Sequence, residues 1–107
     1  MNIPYVRPED TSRFQPGQII RHFKRDFCTP LEKGMNKYLY KILALAKHTE
    51  TGEEMLVYQA MYFPFDIYTR PLAMAEEHVD KIKYPDAKQE YRFEVYSFEK
   101  LEEDYGL

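Results

Sequence analysis

The chain has a single cysteine, Cys28, and no tryptophan in 107 residues. One cysteine cannot close an internal disulfide. Without a CxxC pair there is neither zinc-ribbon spacing nor a thiol redox motif, and a reducing cytoplasm is the expected setting. Long apolar runs are also missing, since nothing approaches the roughly 20 consecutive apolar residues that span a bilayer. Met1-Asn2-Ile3-Pro4-Tyr5 lacks the cationic start and apolar stretch of a secretory leader, so neither export nor membrane insertion is expected. A surplus of positive charge is absent as well. Fifteen Lys and Arg against eighteen Asp and Glu give a formal charge of -3, the wrong sign for a duplex-DNA binder, although a local basic patch stays open.

Aromatic residues are plentiful: ten Tyr and seven Phe, within a hydrophobic fraction of 44%. A chain of this length buries roughly two thirds of the surface its unfolded form exposes, so one cooperative core rich in large rings is expected.

Residues 1–15 carry two prolines and no hydrophobic period and read as an N-terminal arm. After the Pro16-Gly17 turn, Gln18 to Lys24 alternates as a strand, with Ile20, His22 and Lys24 on one face and Ile19, Arg21 and Phe23 on the other. Thr29-Pro30-Leu31-Glu32 has the form of a capping box and predicts one short helical turn up to Gly34. Tyr38 to Lys47 reads as a buried strand and Met55 to Tyr62 as its return. The polar turn His48-Thr49-Glu50-Thr51-Gly52-Glu53 joins them, with Gly52 at positive φ.

Phe63-Pro64-Phe65-Asp66 breaks the return strand, and Ile67 to Arg70 starts another that Pro71 stops by lacking an N–H. Spacing at Leu72, Ala75, Glu76 and Val79 predicts a short helix or 3₁₀ turn. Tyr91 to Phe98 is the last strand, followed by an acidic tail over 99–107. The expected fold class is mainly β: a single small domain over 16–98, with about five short antiparallel strands in a curled sheet or small SH3-like barrel and one or two helical turns.

Four blocks recur in a recognisable order: Gly17 with Arg21-His22-Phe23-Lys24, Ala46 to Gly52, Val57-Tyr58-Gln59-Ala60-Met61-Tyr62, and Arg70-Pro71-Leu72-Ala73-Met74. In these the chain resembles the bacterial family labelled domain of unknown function 1653. It departs from the shortest members between Lys24 and Tyr38 and at Phe63-Pro64-Phe65. The resemblance implies a compact β-rich domain and carries no activity with it.

His22, His48, Gln59 and Arg70 are polar groups set among apolar strand residues. With Lys24, Glu50, Tyr58 and Tyr62 they form the candidate ligand site. An imidazole, a guanidinium and tyrosine hydroxyls together suit a carboxylate, a phosphate or a nucleobase. The structural alternative pairs Arg70 with an internal acid such as Glu50, ties the hairpin through His48 or Glu50, and sets Gln59 to satisfy a strand edge. Tyr38, Tyr40, Tyr58, Tyr62 and Tyr68 read either as a base-stacking platform or as core and rim.

Three functions remain open. The first is a non-enzymatic binding module for a small anionic ligand or single-stranded nucleic acid. The second is an enzyme with His22 or His48 as general acid or base, oriented by Glu50. The third is a protein-interaction domain that self-associates through an apolar patch or edge strand at Phe63-Pro64-Phe65. No metal site is expected from the spacing of His22, His48 and His78, no nucleophile from Cys28 or Ser97, and no motif calls for a cofactor.

Overall fold

The computed structural model describes residues 14–105, which lie outside most of the arm expected over 1–15; of that segment Phe14 is fully buried in the core. Five strands form one sheet: β1 (Ile19–His22), β2 (Leu39–Lys47), β3 (Glu54–Ala60), β4 (Ile67–Pro71) and β5 (Phe93–Tyr96). The order across the sheet is β4-β3-β2-β1-β5, antiparallel at every step. The mainly β, single-domain expectation agrees with this, and of its two forms the sheet is the open one, not a closed barrel.

The sheet is nonetheless strongly curled. β3 and β5 are three strand spacings apart, about 14 Å in a flat sheet, yet the Tyr58 and Phe93 rings lie 5.6 Å apart. A register shift between Ile42 and Ala44 supplies a bulge, which bends β2. On the concave side Ile20, Tyr40, Ile42, Leu56, Tyr58, Ala60 and Phe93 form the core with Phe14 and with Leu72 and Ala75 of α2 (Leu72–Ala75). Burial alternates along β3 as period-2 geometry requires, with Leu56, Tyr58 and Ala60 inside.

The turns follow local chemistry. α1 (Pro30–Gly34) has the full capping box: Thr29 Oγ accepts from Glu32 N–H at 3.2 Å, and Glu32 returns the bond to Thr29 N–H at 2.9 Å. The β2–β3 turn places Gly52 at φ +74, where a Cβ would be strained.

Strand β1 ends sooner than alternation predicts. His22 Nδ1 accepts from Lys24 N–H, and Phe23–Phe27 winds into a 3₁₀ turn. This takes Lys24 out of the strand face expected for it and leaves it exposed. The acidic segment 99–107 also does more than trail: within it lies α3 (Leu101–Asp104), and Asp104 is buried.

Candidate functional site

The curl brings residues from all five strands to one place. Arg70 on β4 lies across from Leu56, and Tyr68 across from Tyr58, so both project onto the concave side beside the core rings. Arg70 is half-buried. Its Nε donates to the Tyr58 hydroxyl at 2.9 Å, and its guanidinium carbon stands 5.0 Å from the Phe93 ring centre and 5.8 Å from that of Tyr58. Cation–π contact with two rings and one neutral hydrogen bond therefore hold it. No described acid pairs with it, so the expected internal carboxylate partner, Glu50 or another, is replaced by a phenol and two aromatic faces. The two terminal NH₂ groups have no partner among the described residues.

His22 enters the same cluster from β1. Its ring stacks on Phe23 at 4.7 Å, meets Phe93 edge-on at 4.8 Å and approaches Tyr38 at 5.5 Å. Because Nδ1 accepts from Lys24 N–H at 3.1 Å, the neutral ring carries its proton on Nε2, which makes that atom a donor. Burial, then the positive charges of Arg70, Lys24 and Arg92, lower its pKa from 6.5 to about 3. The imidazole thus remains neutral throughout the physiological range.

Tyrosine hydroxyls line the rest. Tyr40 and Tyr62 share a hydrogen bond of 2.8 Å. Burial raises the pKa of Tyr58 and of Tyr62, so both stay protonated donors. Tyr40 and Tyr58 are core, Tyr38 and Tyr62 are partly buried against it, and Tyr68 is exposed, so this set forms core and rim. Tyr38 adopts φ +64, a left-handed conformation that costs a non-glycine residue about 1 to 2 kcal/mol, and its ring abuts both His22 and Tyr62.

His22, Tyr58, Tyr62 and Arg70 therefore come together, with Lys24 at the margin. The other candidates do not join them. His48 Nδ1 accepts from the backbone N–H groups of Glu50 and Thr51 at 3.1 and 3.3 Å, so His48 and Glu50 meet within the hairpin turn. The Gln59 amide donates to Phe65 C=O at 3.1 Å and ties the β3–β4 connection. Sequence reasoning missed Phe93 as the platform under Arg70 and Arg92 as a charge near His22. Their only signal was a place in the last strand.

A second polar cluster occupies the opposite side and went unrecognised in the sequence. Arg21 donates from Nε to Asp104, from Nη1 to Gln89 and from Nη2 to Asp26, at 2.7 to 2.8 Å. Arg25, fully buried, donates to Asp104 at 2.7 Å and to the carbonyls of Lys37 and Lys33 at 2.7 and 3.2 Å. Tyr96 adds a third donor to Asp104. Two open clefts are present among the described residues, and neither is lined by Arg70 itself, although the second shares Lys24 and Tyr38 with the margin of its cluster. One lies over this network, lined by Arg21, Asp26, Gln89 and Asp104; the other is bounded by Lys24, Phe27, Lys37, Tyr38 and Tyr84. Since every guanidinium nitrogen of Arg21 and Arg25 is engaged, the first reads as a structural seam.

Among the described residues no group of three or more His, Cys, Asp or Glu could hold a metal ion, and no helix is long and apolar enough to cross a membrane. No curated protein and no solved structure matches the chain. The family model described as "protein of unknown function (DUF1653)" matches residues 18–95, the stretch that contains all five strands except the end of β5 and the whole Arg70 cluster, and the chain belongs to that family.

Proposed function

We propose that the partly exposed margin of the concave side around Arg70, beside the packed core, is a non-enzymatic binding site for a small anionic ligand, a phosphate or carboxylate attached to a planar group. The carrying observation is Arg70, a half-buried guanidinium fixed at Nε by Tyr58 and over the Phe93 ring, with both NH₂ groups uncommitted among the described residues. A pre-oriented fork is the geometry that grips a phosphate or carboxylate in a bidentate way. The His22 Nε2–H and the tyrosine hydroxyls add neutral donors, and the rim rings Tyr38, Tyr62 and Tyr68 offer stacking for a planar part. Lys24 adds positive potential at the margin, as does Arg92, whose charge is partly offset by Glu77 at 3.8 Å.

The enzymatic reading fits the chemistry less well. A histidine held near 3 does not exchange protons usefully at neutral pH, and His48 spends its accepting nitrogen on the turn. Single-stranded nucleic acid would find the same rings, but the chain's -3 charge gives no electrostatic funnel for a phosphodiester track. The lone Cys28 suits a reducing compartment such as the cytoplasm.

Thermal-shift measurements with inorganic phosphate, a mononucleotide and a short DNA single strand test the reading. Stabilisation by the mononucleotide, lost in Arg70→Lys, supports it; ligand at 100 times its dissociation constant stabilises by about 2.7 kcal/mol. Stabilisation only by the single strand, growing with its length, would move the assignment to nucleic acid. No shift with any of the three counts against both.

A further inference from the structure

The outer edge of β4 is uncovered by any described strand, and its polarity can be read from its inner edge. Ala60 N–H donates to Asp66 C=O, and the register sets Tyr68 opposite Tyr58 and Arg70 opposite Leu56. In an antiparallel ladder the hydrogen-bonded positions alternate, so Asp66, Tyr68 and Arg70 turn their backbone groups toward β3. The N–H and C=O of Ile67 and Thr69 therefore point outward as an open template. Ile67 is 60% exposed, with Phe63 and Phe65 exposed beside it.

We infer that β4 pairs antiparallel with β4 of a second copy of this chain, about a two-fold axis at Tyr68. The register follows from the chemistry of Asp66-Ile67-Tyr68-Thr69-Arg70. Centred on Tyr68, Ile67 of each copy faces Thr69 of the other, and the outward groups of both exchange four backbone hydrogen bonds. The same register sets the Asp66 carboxylate of each copy opposite Arg70 of the other, with opposite charges at close, non-hydrogen-bonded positions. Shifting the centre to Ile67 or Thr69 loses this match. Beyond Arg70, Pro71 has no N–H to give and Phe65 N–H is already donated to Tyr62 C=O, so the ladder stops at five residues.

A contact this short buries less than the about 1,200 Å² of a stable interface, so the dimer is weak, with a dissociation constant on the order of 100 μM to 1 mM. Arg70 also stands in the proposed anion site. An anion that occupies its fork loosens the pair, and Asp66 and Thr69 are therefore the residues to change.

Backbone amide exchange, read by NMR alongside sedimentation velocity from about 10 μM to about 1 mM, tests the pairing. The expected result is concentration-dependent protection of the Ile67 and Thr69 amides with a rise in mean mass, both abolished by Thr69→Pro and weakened about tenfold by Asp66→Lys. Chemical shifts of the core strands check that each variant is folded. A protein that stays monomeric with both amides unprotected at the top concentration overturns the inference, as does a dimer indifferent to both substitutions. These readouts need no ligand, so they stand or fall separately from the anion site.

Discussion

The two sides of the sheet treat arginine in opposite ways. On one side Arg21 and Arg25 commit every donor nitrogen to Asp104, Asp26, Gln89 or a backbone carbonyl, with Asp104 accepting from both and from Tyr96. On the other, Arg70 commits one nitrogen to a neutral phenol and lays its plane near aromatic rings. A guanidinium with all three nitrogens engaged by fixed partners holds the fold, joining α3 to β1 and the turn after it. One with two nitrogens unengaged among the described residues keeps hydrogen-bonding capacity in reserve. Burial alone does not separate the two arrangements; the count of engaged nitrogens among the described residues does.

The largest expected effect lies in the saturated network. Asp104→Ala leaves two arginines facing each other without their shared carboxylate, one of them fully buried, and should cost about 3 to 5 kcal/mol in urea denaturation. A loss under about 1 kcal/mol would show that α3 is not anchored there and would erase the contrast.

Acid titration comes next. His22 has a folded pKa near 3, below its unfolded value of 6.5, so the unfolded chain binds the proton first. Stability from this group is fully present above about pH 6.5 and falls as pH drops toward 3. Asp104, whose carboxyl is held down by its arginine partners against the opposing effect of burial, gives way only lower still, below about pH 4. Between about pH 6.5 and 4.5 wild type should therefore lose about 2 kcal/mol more than His22→Gln, measured by denaturant midpoints. Parallel curves for the two proteins would place His22 in solvent.

Smaller changes follow on the concave side. Tyr62→Phe removes the hydroxyl that Tyr40 shares and should cost about 1 kcal/mol in thermal melting. Lys47→Ala breaks only a surface pair of 3.9 Å and should shift stability by less than about 0.5 kcal/mol.

What the sequence made legible was local. The capping box at Thr29 and Glu32, the positive φ of Gly52 and the alternation of β3 each depend on residues within a few positions, and each appears as read. Arg70 was singled out correctly as a held residue, but its holders were not acids. Tyr58 is twelve positions away, and Phe93 reaches it only because the sheet curls. His48 and Gln59 were conspicuous for their polarity, yet each binds backbone in its own turn, which composition cannot distinguish from a ligand contact. Asp104 was invisible for a simpler reason: nothing local separates it from Glu102 and Glu103, and its partner Arg25 lies 79 residues earlier.

The central claim, that unmatched donors and not burial mark the working arginine, is met most directly by comparing Arg70→Lys with Arg25→Lys in calorimetric titration with a mononucleotide and in urea denaturation. The account predicts that Arg70→Lys binds at least about tenfold more weakly while losing only about 1 kcal/mol of stability, and that Arg25→Lys loses about 3 kcal/mol while its folded fraction binds as wild type does. Equal binding by wild type and Arg70→Lys, or a larger stability loss at Arg70 than at Arg25, would contradict it.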